Sequence, residues 1–499
     1  MNILQASSEV HPFSKTGGLA DMVGALGKSL AEAGHQVAVV KPLYRAIHQR
    51  FPALNRMDYV LEIPLGAATA RGEILTFAVS DRLTIYFVCQ DFYFDRPGLY
   101  GEKGADYADN AERFIFFSKA VTHLARFLPQ PPEIVHLHDW QVALVPLFVK
   151  DQHERDGWTN RPATVLTIHN LAYQGHYPPD AFSLTNLPQS YFTPVGAEFY
   201  GSFNCLKAGL VFADMLTTVS PRYAREITTE PFGCGLDGVL RQRQKSLVGI
   251  LNGVDYTEWN TTENPFLKEP FSSENLQGKA MAKRHLQREM GLPESAGVPL
   301  FGTVTRLADQ KGIDIQISAL EEMLASDMQF VLLGSGAPDY EIALKRLAER
   351  YPAKVAIRIG YDHGLAHRIE AACDFYLMPS RFEPCGLNQM YSLRYGTIPI
   401  VRVTGGLDDS VTDLTENEDE ADGIKFYEYS SRALAKAIRK ALVLFENKDL
   451  LDYFRQNGMR ADFSWEITTR EYLRVYEQAC AITQMKPAPD VITAPSKQA

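Results

Sequence analysis

Apolar residues arrive along this chain in short continuous runs separated by amphipathic stretches. Residues 1–7 form such a run and predict a buried strand. Residues 22–33 carry apolar positions at helical spacing, with Gly34 placed to stop the helix. Residues 36–42 predict the next strand, so the first fifty residues read as a βαβ unit with 14–21 as a Gly-containing loop. Further strands are expected at 83–88, 134–138, 164–168 and 215–219, with helical patterns between most of them. Strands without strict alternation, interleaved with helices, imply a parallel sheet covered on both faces.

The alternation breaks near residue 250. Residues 255–274 are polar and Pro-bearing and read as a connector, and 278–290 reads as a helix. A second alternation starts at Pro299. It predicts strands at 300–305, 330–334, 355–359, 375–379 and 398–403, and helices at 313–324, 340–350, 365–372 and 387–395. The pattern predicts an α/β protein of two doubly wound, Rossmann-like domains, 1–250 and 251–464. The acidic run 416–422 reads as a solvated loop, and the Pro- and Ala-rich tail 487–499 as disordered. Such sheets bind ligands in the crevice outside the strand C-termini. Chemistry is therefore expected just after strands, facing a cleft shared by the two domains.

Composition narrows the reading. The chain has 499 residues, 45% hydrophobic and 22% charged, enough to bury a large core without staples. Fifty Lys+Arg against sixty Asp+Glu leave a formal charge of −10, which removes the basic footprint expected of a nucleic-acid or anionic-membrane partner. The N-terminus enters a strand directly, without a basic and apolar leader, and no apolar run approaches the length of a membrane span. Six scattered cysteines without a C-x-x-C pair read as reduced thiols. A cytoplasmic enzyme is the expectation.

Five motifs fall after strands. Lys15-Thr16-Gly17-Gly18-Leu19-Ala20-Asp21 opens a helix. Its glycines permit close backbone approach, and a helix N-terminus favours phosphate; a plain turn is as good a reading of this segment alone. His136-Leu137-His138-Asp139-Trp140 and Thr167-Ile168-His169-Asn170 each end a strand. Structural histidines with polar partners compete there with ligand roles, and no third metal ligand is evident. Arg306 and Lys311 sit five residues apart at a turn into a helix. That pair suits a diphosphate, since charge-assisted hydrogen bonds contribute about 1.5–3 kcal/mol each. The most informative motif is Ser380-Arg381-Phe382-Glu383-Pro384-Cys385-Gly386-Leu387. Glu383 is placed to accept sugar hydroxyls where a helix opens. Thr404-Gly405-Gly406 adds a second Gly-rich turn. No Asp-x-Asp triplet is present, so no metal is expected to bridge a nucleotide diphosphate; cations would neutralise it instead.

Taken in order and spacing, these motifs resemble the bacterial-type glycogen synthases and plant starch synthases, retaining glucosyltransferases of the GT-B architecture. The resemblance runs from Ile3 to about Tyr476. It also takes in Ser7-Ser8-Glu9-Val10, Lys207-Ala208-Gly209 and Asn252-Gly253-Val254-Asp255. It implies transfer of glucose from ADP-glucose to the non-reducing end of an α-1,4-glucan, with no cofactor and no metal. It further implies that Glu383 is the essential glutamate contacting the transferred glucose, and that Arg306 and Lys311 bind the diphosphate. Asp139 and His169 fall at glucose-subsite positions. Lys15, Gly17, Gly18, Asp21, Asn252, Cys385, Gly386, Leu387, Thr404, Gly405 and Gly406 fall on the donor site. By the same likeness, residues 465–486 form a last helix crossing back to the first domain.

Three rival readings remain at this stage. A UDP-sugar-dependent GT-B transferase shares the architecture. A non-catalytic glucan-binding relative should have lost its charged residues, yet Lys15, Arg306, Lys311 and Glu383 are all present. A phosphorylase needs a pyridoxal-phosphate lysine, for which the sequence offers no support.

Overall fold

A computed structural model describes the chain except Pro52, Lys103 and residues 485–499, so the expected disordered tail lies outside the described residues. The chain divides into two compact units. The first comprises Met1–Thr217, Gly233–Val248 and the chain from Thr469 onward; the second comprises Thr218–Phe232 and Gly249–Thr468. The boundaries expected at 250 and 464 are therefore corrected in two places. Residues 218–232 pack in the second unit, because Glu226 and Arg222 find their polar partners there. Residues 465–468 also stay with the second unit, where Thr468 donates to the Leu251 carbonyl.

The first unit carries β1 (Asn2–Ala6), β2 (Gln36–Pro42), β3 (Asn55–Leu65), β4 (Ala68–Ser80) and β5 (Leu83–Cys89). It continues with β6 (Ile134–His138), β7 (Ala163–Ile168), β8 (Met215–Thr218) and β9 (Leu247–Gly249). They form one sheet in the order β9-β8-β7-β6-β1-β2-β5-β4-β3. β1 pairs in parallel with both β2 and β6. The strand order thus reverses at β1, and the C-terminal ends of β1 and β6 flank that switch point. β3 and β4 form an antiparallel hairpin that the sequence reading did not include. Its signal was present as alternation: Leu61, Ile63 and Leu65 are buried while Glu62 and Pro64 are exposed.

The second unit carries β10 (Leu300–Leu307), β11 (Gln329–Gly336), β12 (Val355–Ile359), β13 (Phe375–Met378), β14 (Ile398–Arg402) and β15 (Ile424–Phe426). They are ordered β12-β11-β10-β13-β14-β15. Numbered within the unit, this is the 3-2-1-4-5-6 order of a Rossmann fold, with the switch point between β10 and β13. Every strand pair in this sheet is parallel. The period of two sorts the apolar run of β11 cleanly. Phe330 and Leu332 join one core with Phe301, Phe375, Ile400 and Ile438, while Val331 and Leu333 join the opposite core with Leu300, Ile369 and Tyr376. Both faces are buried, which is why these strands read as unbroken hydrophobic runs.

The acidic run is only partly as expected. Residues 416–420 are exposed, but Asp422 is buried and accepts the Thr412 amide at 2.7 Å. Burial pushes its carboxyl up to about 7.

The last helix, Trp465–Gln484, starts in the second unit and belongs to the first from Thr469 on. Thr469 meets Ser29 at 2.8 Å, and the Tyr476 hydroxyl meets His136 Nδ1 at 2.8 Å. His136 Nε2 is in turn held by Thr167 Oγ1 at 2.6 Å. Tyr476→Phe would leave a buried ring nitrogen without its partner. The expected loss is about 1–2 kcal/mol of unfolding free energy, seen as a lower urea midpoint at unchanged slope; an unchanged midpoint would show the contact to be energetically idle.

Candidate active site

In the second unit, the switch point brings two loops together. β10 runs out at Leu307, and the turn Asp309–Lys311 leads through Gly312 into the helix Ile313–Met323. β13 runs out at Met378 into the segment 379–387. The two loops are laced by the Arg381 amide, which donates to the Gln310 carbonyl at 2.8 Å, and by Gln310 Nε2, which donates to the Phe382 carbonyl. Gly312 has φ +71°, and a Cβ there would lie 2.0 Å from the Pro379 carbonyl oxygen. Only glycine allows this approach. The consequence is a buried ion pair: Lys311 Nζ donates to Glu383 Oε2 at 2.6 Å, with Ser380 Oγ donating to the same oxygen at 3.0 Å. The Arg306 side chain, exposed at the end of β10, makes no hydrogen bond or ion pair with the described residues, while its carbonyl accepts from the Ala308 amide at 3.1 Å. A free guanidinium thus stands at the end of the strand whose loop carries the paired lysine.

Thr404, Gly405 and Gly406 follow β14. Gly405 has φ +44°, and a Cβ there would fall 1.9 Å from the Glu383 carbonyl oxygen, so this turn is pressed against the backbone of the glutamate. The Gly405 amide donates to both oxygens of Glu226 at 3.1 Å, and the Gly406 amide donates to the Glu383 carbonyl. Glu226 also accepts from Arg222 Nε, and Arg222 Nη1 reaches Asp408. Glu226 and Arg222 were not among the residues singled out from sequence. Their segment carries no local motif, and only the return of residues 218–232 to this unit brings them to the turn.

Cys385 is buried, and burial pushes its thiol up to about 12, with the Asn252 amide as a hydrogen-bond donor to it. A neutral, enclosed thiol is not a nucleophile. Asn252 contributes a buried side-chain oxygen without a partner. Gly386 and Leu387 lead into the helix Asn388–Arg394.

In the first unit, the segment after β1 presents Lys15 and Asp21 as an ion pair at 2.7 Å, both partly exposed. Lys15 is therefore paired within its own segment. Gly17 borders open space, and Gly18 opens the helix Gly18–Glu32. Glu9, unassigned from sequence, binds the Thr16 amide and hydroxyl and accepts from Tyr100 Oη at 2.7 Å. The loop is thereby held from beneath.

After β6, Asp139 adopts φ +62° and ψ −175°, a region nearly reserved for glycine. Its Oδ1 accepts the His169 amide at 2.7 Å. His169 Nε2 meets His138 Nδ1 at 3.1 Å. Burial pushes His169 down to about 3, so the imidazole is neutral at physiological pH. Burial also pushes Asp139 up to about 7, against the His169 and Asn170 amides that favour its ionised form. A folded pKa above the unfolded value means the native state holds the extra proton between about pH 4 and 7, so this group's contribution to stability falls as pH rises through that window. Asp139→Asn keeps the acceptor and removes the titration. Its stability relative to the parent is expected to improve from pH 5 to about 7 and then level off, measured by melts at matched ionic strength; a pH-independent difference would overturn the assignment.

Two Rossmann-like α/β units in one chain, each with polar residues after the strands at its switch point, are the two units of the GT-B architecture, and the family comparisons give the activity it carries here. The model of the starch synthase catalytic domain matches residues 2–242, and that of glycosyl transferases group 1 matches residues 291–460. A glycogen synthase of Anaeromyxobacter sp. (strain Fw109-5) is 48% identical over 96% of this chain and 100% of its own length. Glycogen synthase 1 of Geobacter sulfurreducens is 44% identical over 96% of each. The catalytic domain of starch synthase IV from Arabidopsis thaliana, solved bound to ADP and acarbose, superposes with a TM-score of 0.86 at 32% identity, covering 96% of this chain and 99% of that one. The sucrose-phosphate synthase of Thermosynechococcus elongatus, at 17% identity and a TM-score of 0.60, shares the fold alone. This chain belongs to the glycogen and starch synthase family of glucosyltransferases. No helix among the described residues is long and apolar enough to cross a membrane.

Proposed function

We propose that this chain transfers glucose from ADP-glucose to the non-reducing end of an α-1,4-glucan with retention of configuration, in the cytoplasm and without a metal. The observation that carries the reading is the pairing of Lys311 with Glu383 beside an unpaired Arg306 at the second unit's switch point. The starch synthase with ADP and acarbose bound supports the donor and acceptor classes. In this reading Arg306 and Lys311 neutralise the diphosphate as the glycosidic C–O bond breaks. Glu383 orients the glucose and faces an oxocarbenium-like centre, and the acceptor 4-OH arrives on the face the phosphate leaves, giving its proton to that phosphate. Lys15, Asp21, Gly17 and Gly18 serve the donor from the first unit, and Asp139 and His169 hold glucose hydroxyls. Asn252, Cys385, Gly386, Leu387, Thr404, Gly405 and Gly406 shape the nucleotide-sugar subsite.

The test is ADP release and glucose incorporation with glycogen and ADP-glucose, run with EDTA and in parallel with UDP-glucose. Turnover with ADP-glucose undiminished by EDTA supports the reading. Turnover with UDP-glucose alone overturns the donor, and no turnover with either donor in folded protein overturns the activity.

A further inference from the structure

One cluster in the second unit takes no part in the site described above. The helix His363–Ala372 begins with His363 and carries His367 one turn later, on the same face. Glu258 reaches that face from the connector between Val254 and Thr261. One ring nitrogen of each histidine and a carboxylate oxygen of Glu258 lie within 4.8 Å of one another. His363 Nε2 stands 3.4 Å from Glu258 Oε1. That separation is the edge of a tetrahedron whose arms are about 2.0–2.1 Å, where the edge is about 3.3 Å.

His367 supplies the second observation. Its residue is fully buried, and its Nε2 has no hydrogen-bond partner. Its Nδ1 is engaged, with Tyr395 Oη at 2.9 Å and Asn264 Nδ2 at 3.1 Å. The indole of Trp259 stacks on the imidazole at 4.0 Å and 13°, and the ring of Tyr391 stacks on Trp259 at 3.7 Å and 6°. The ring is therefore locked in orientation by aromatic packing and by Tyr395; with the proton on Nδ1, donated to Tyr395 Oη, Nε2 presents the lone pair a metal takes, as in imidazole ligands of metals. Phe266 packs edge-on to His363 at 5.3 Å. Glu258 and His363 are about half exposed, so they can close by rotation around a fixed His367 and leave a fourth position to water.

We propose that Glu258, His363 and His367 form a binding site for one divalent transition-metal ion of the zinc type, which braces the connector to the helix His363–Ala372. Two imidazoles and one carboxylate suit zinc, and do not suit magnesium or calcium, which take oxygen ligands. None of Glu258, His363 and His367 is among the donor residues named above, so glucosyl transfer in EDTA is still expected.

The experiment uses the full chain, stripped with chelator and returned to chelator-free buffer. It is titrated calorimetrically with ZnCl2 and separately with MgCl2, and melted with and without zinc. One zinc per chain, no heat with MgCl2 and a higher melting temperature with zinc are expected. His363→Ala and Glu258→Gln, both at half-exposed positions, should melt like the parent without metal, bind zinc at least tenfold more weakly and lose the zinc-dependent shift. Absence of zinc binding in the parent overturns the proposal. So does equal binding by parent and variants, which would place the ion elsewhere, for instance on the cysteines.

Discussion

Glu383→Gln is expected to lower kcat for glucosyl transfer by roughly 10³-fold while the chain stays folded. The carboxylate is buried against Lys311 Nζ at 2.6 Å and Ser380 Oγ at 3.0 Å. Glutamine keeps an oxygen for Ser380 but removes the charge that holds Lys311 and that opposes a developing positive centre. The lysine then stands unpaired yet still touches solvent, with about a fifth of its side chain exposed. A stability loss of about 1–2 kcal/mol follows, small for a chain of this size. Because the pair acts as a unit, Glu383→Gln with Lys311→Met should lose little more than either alone. A variant within tenfold of the parent kcat would remove Glu383 from the reaction.

Arg306→Ala carries the second large effect and is the cleaner test. Its guanidinium is exposed and bonded to none of the described residues, so its removal should leave the melting temperature unchanged. If it meets the diphosphate, kcat/KM for ADP-glucose should fall by roughly 10²–10³-fold, about 3–4 kcal/mol. Inhibition by ADP should weaken in parallel, since ADP carries the same diphosphate. Arg306→Lys should recover only part of the loss, because an ammonium cannot bind a phosphate bidentately. A kcat/KM within fivefold of the parent, with ADP inhibition intact, would place the diphosphate elsewhere.

These predictions separate the two halves of the proposed diphosphate site, which sequence treated alike. Arg306 and Lys311 read as one pair of cations flanking a turn. Folded, the Arg306 guanidinium is free and Lys311 is ion-paired, because Gly312 lets the first loop close onto Pro379 and brings Lys311 to Glu383. Lys15, too, is paired on folding, with Asp21 of the same motif.

By itself the sequence determined what local physics determines. Uninterrupted apolar runs such as Phe330–Leu333 read as strands buried on both faces, and their alternation with amphipathic helices accounts for the parallel strands of both sheets, though not for the antiparallel hairpin 55–80. The placing of Lys311, Glu383 and Asp139 just after strands, and of Arg306 at the end of one, followed from the same pattern. Charge patterning singled out candidate residues for the chemistry but not whom they meet. The tertiary structure decided the rest, because it depends on contacts between residues far apart in the chain. It returned residues 218–232 to the second unit and set Glu226 on the Gly405 amide, 179 positions away. It docked Tyr476 on His136 across 340 positions. It also gathered Glu258, separated from His363 by a hundred residues, onto one helix face. No periodicity or spacing encodes such meetings; they are consequences of strand order and of which buried polar atoms must find partners once the sheets have formed.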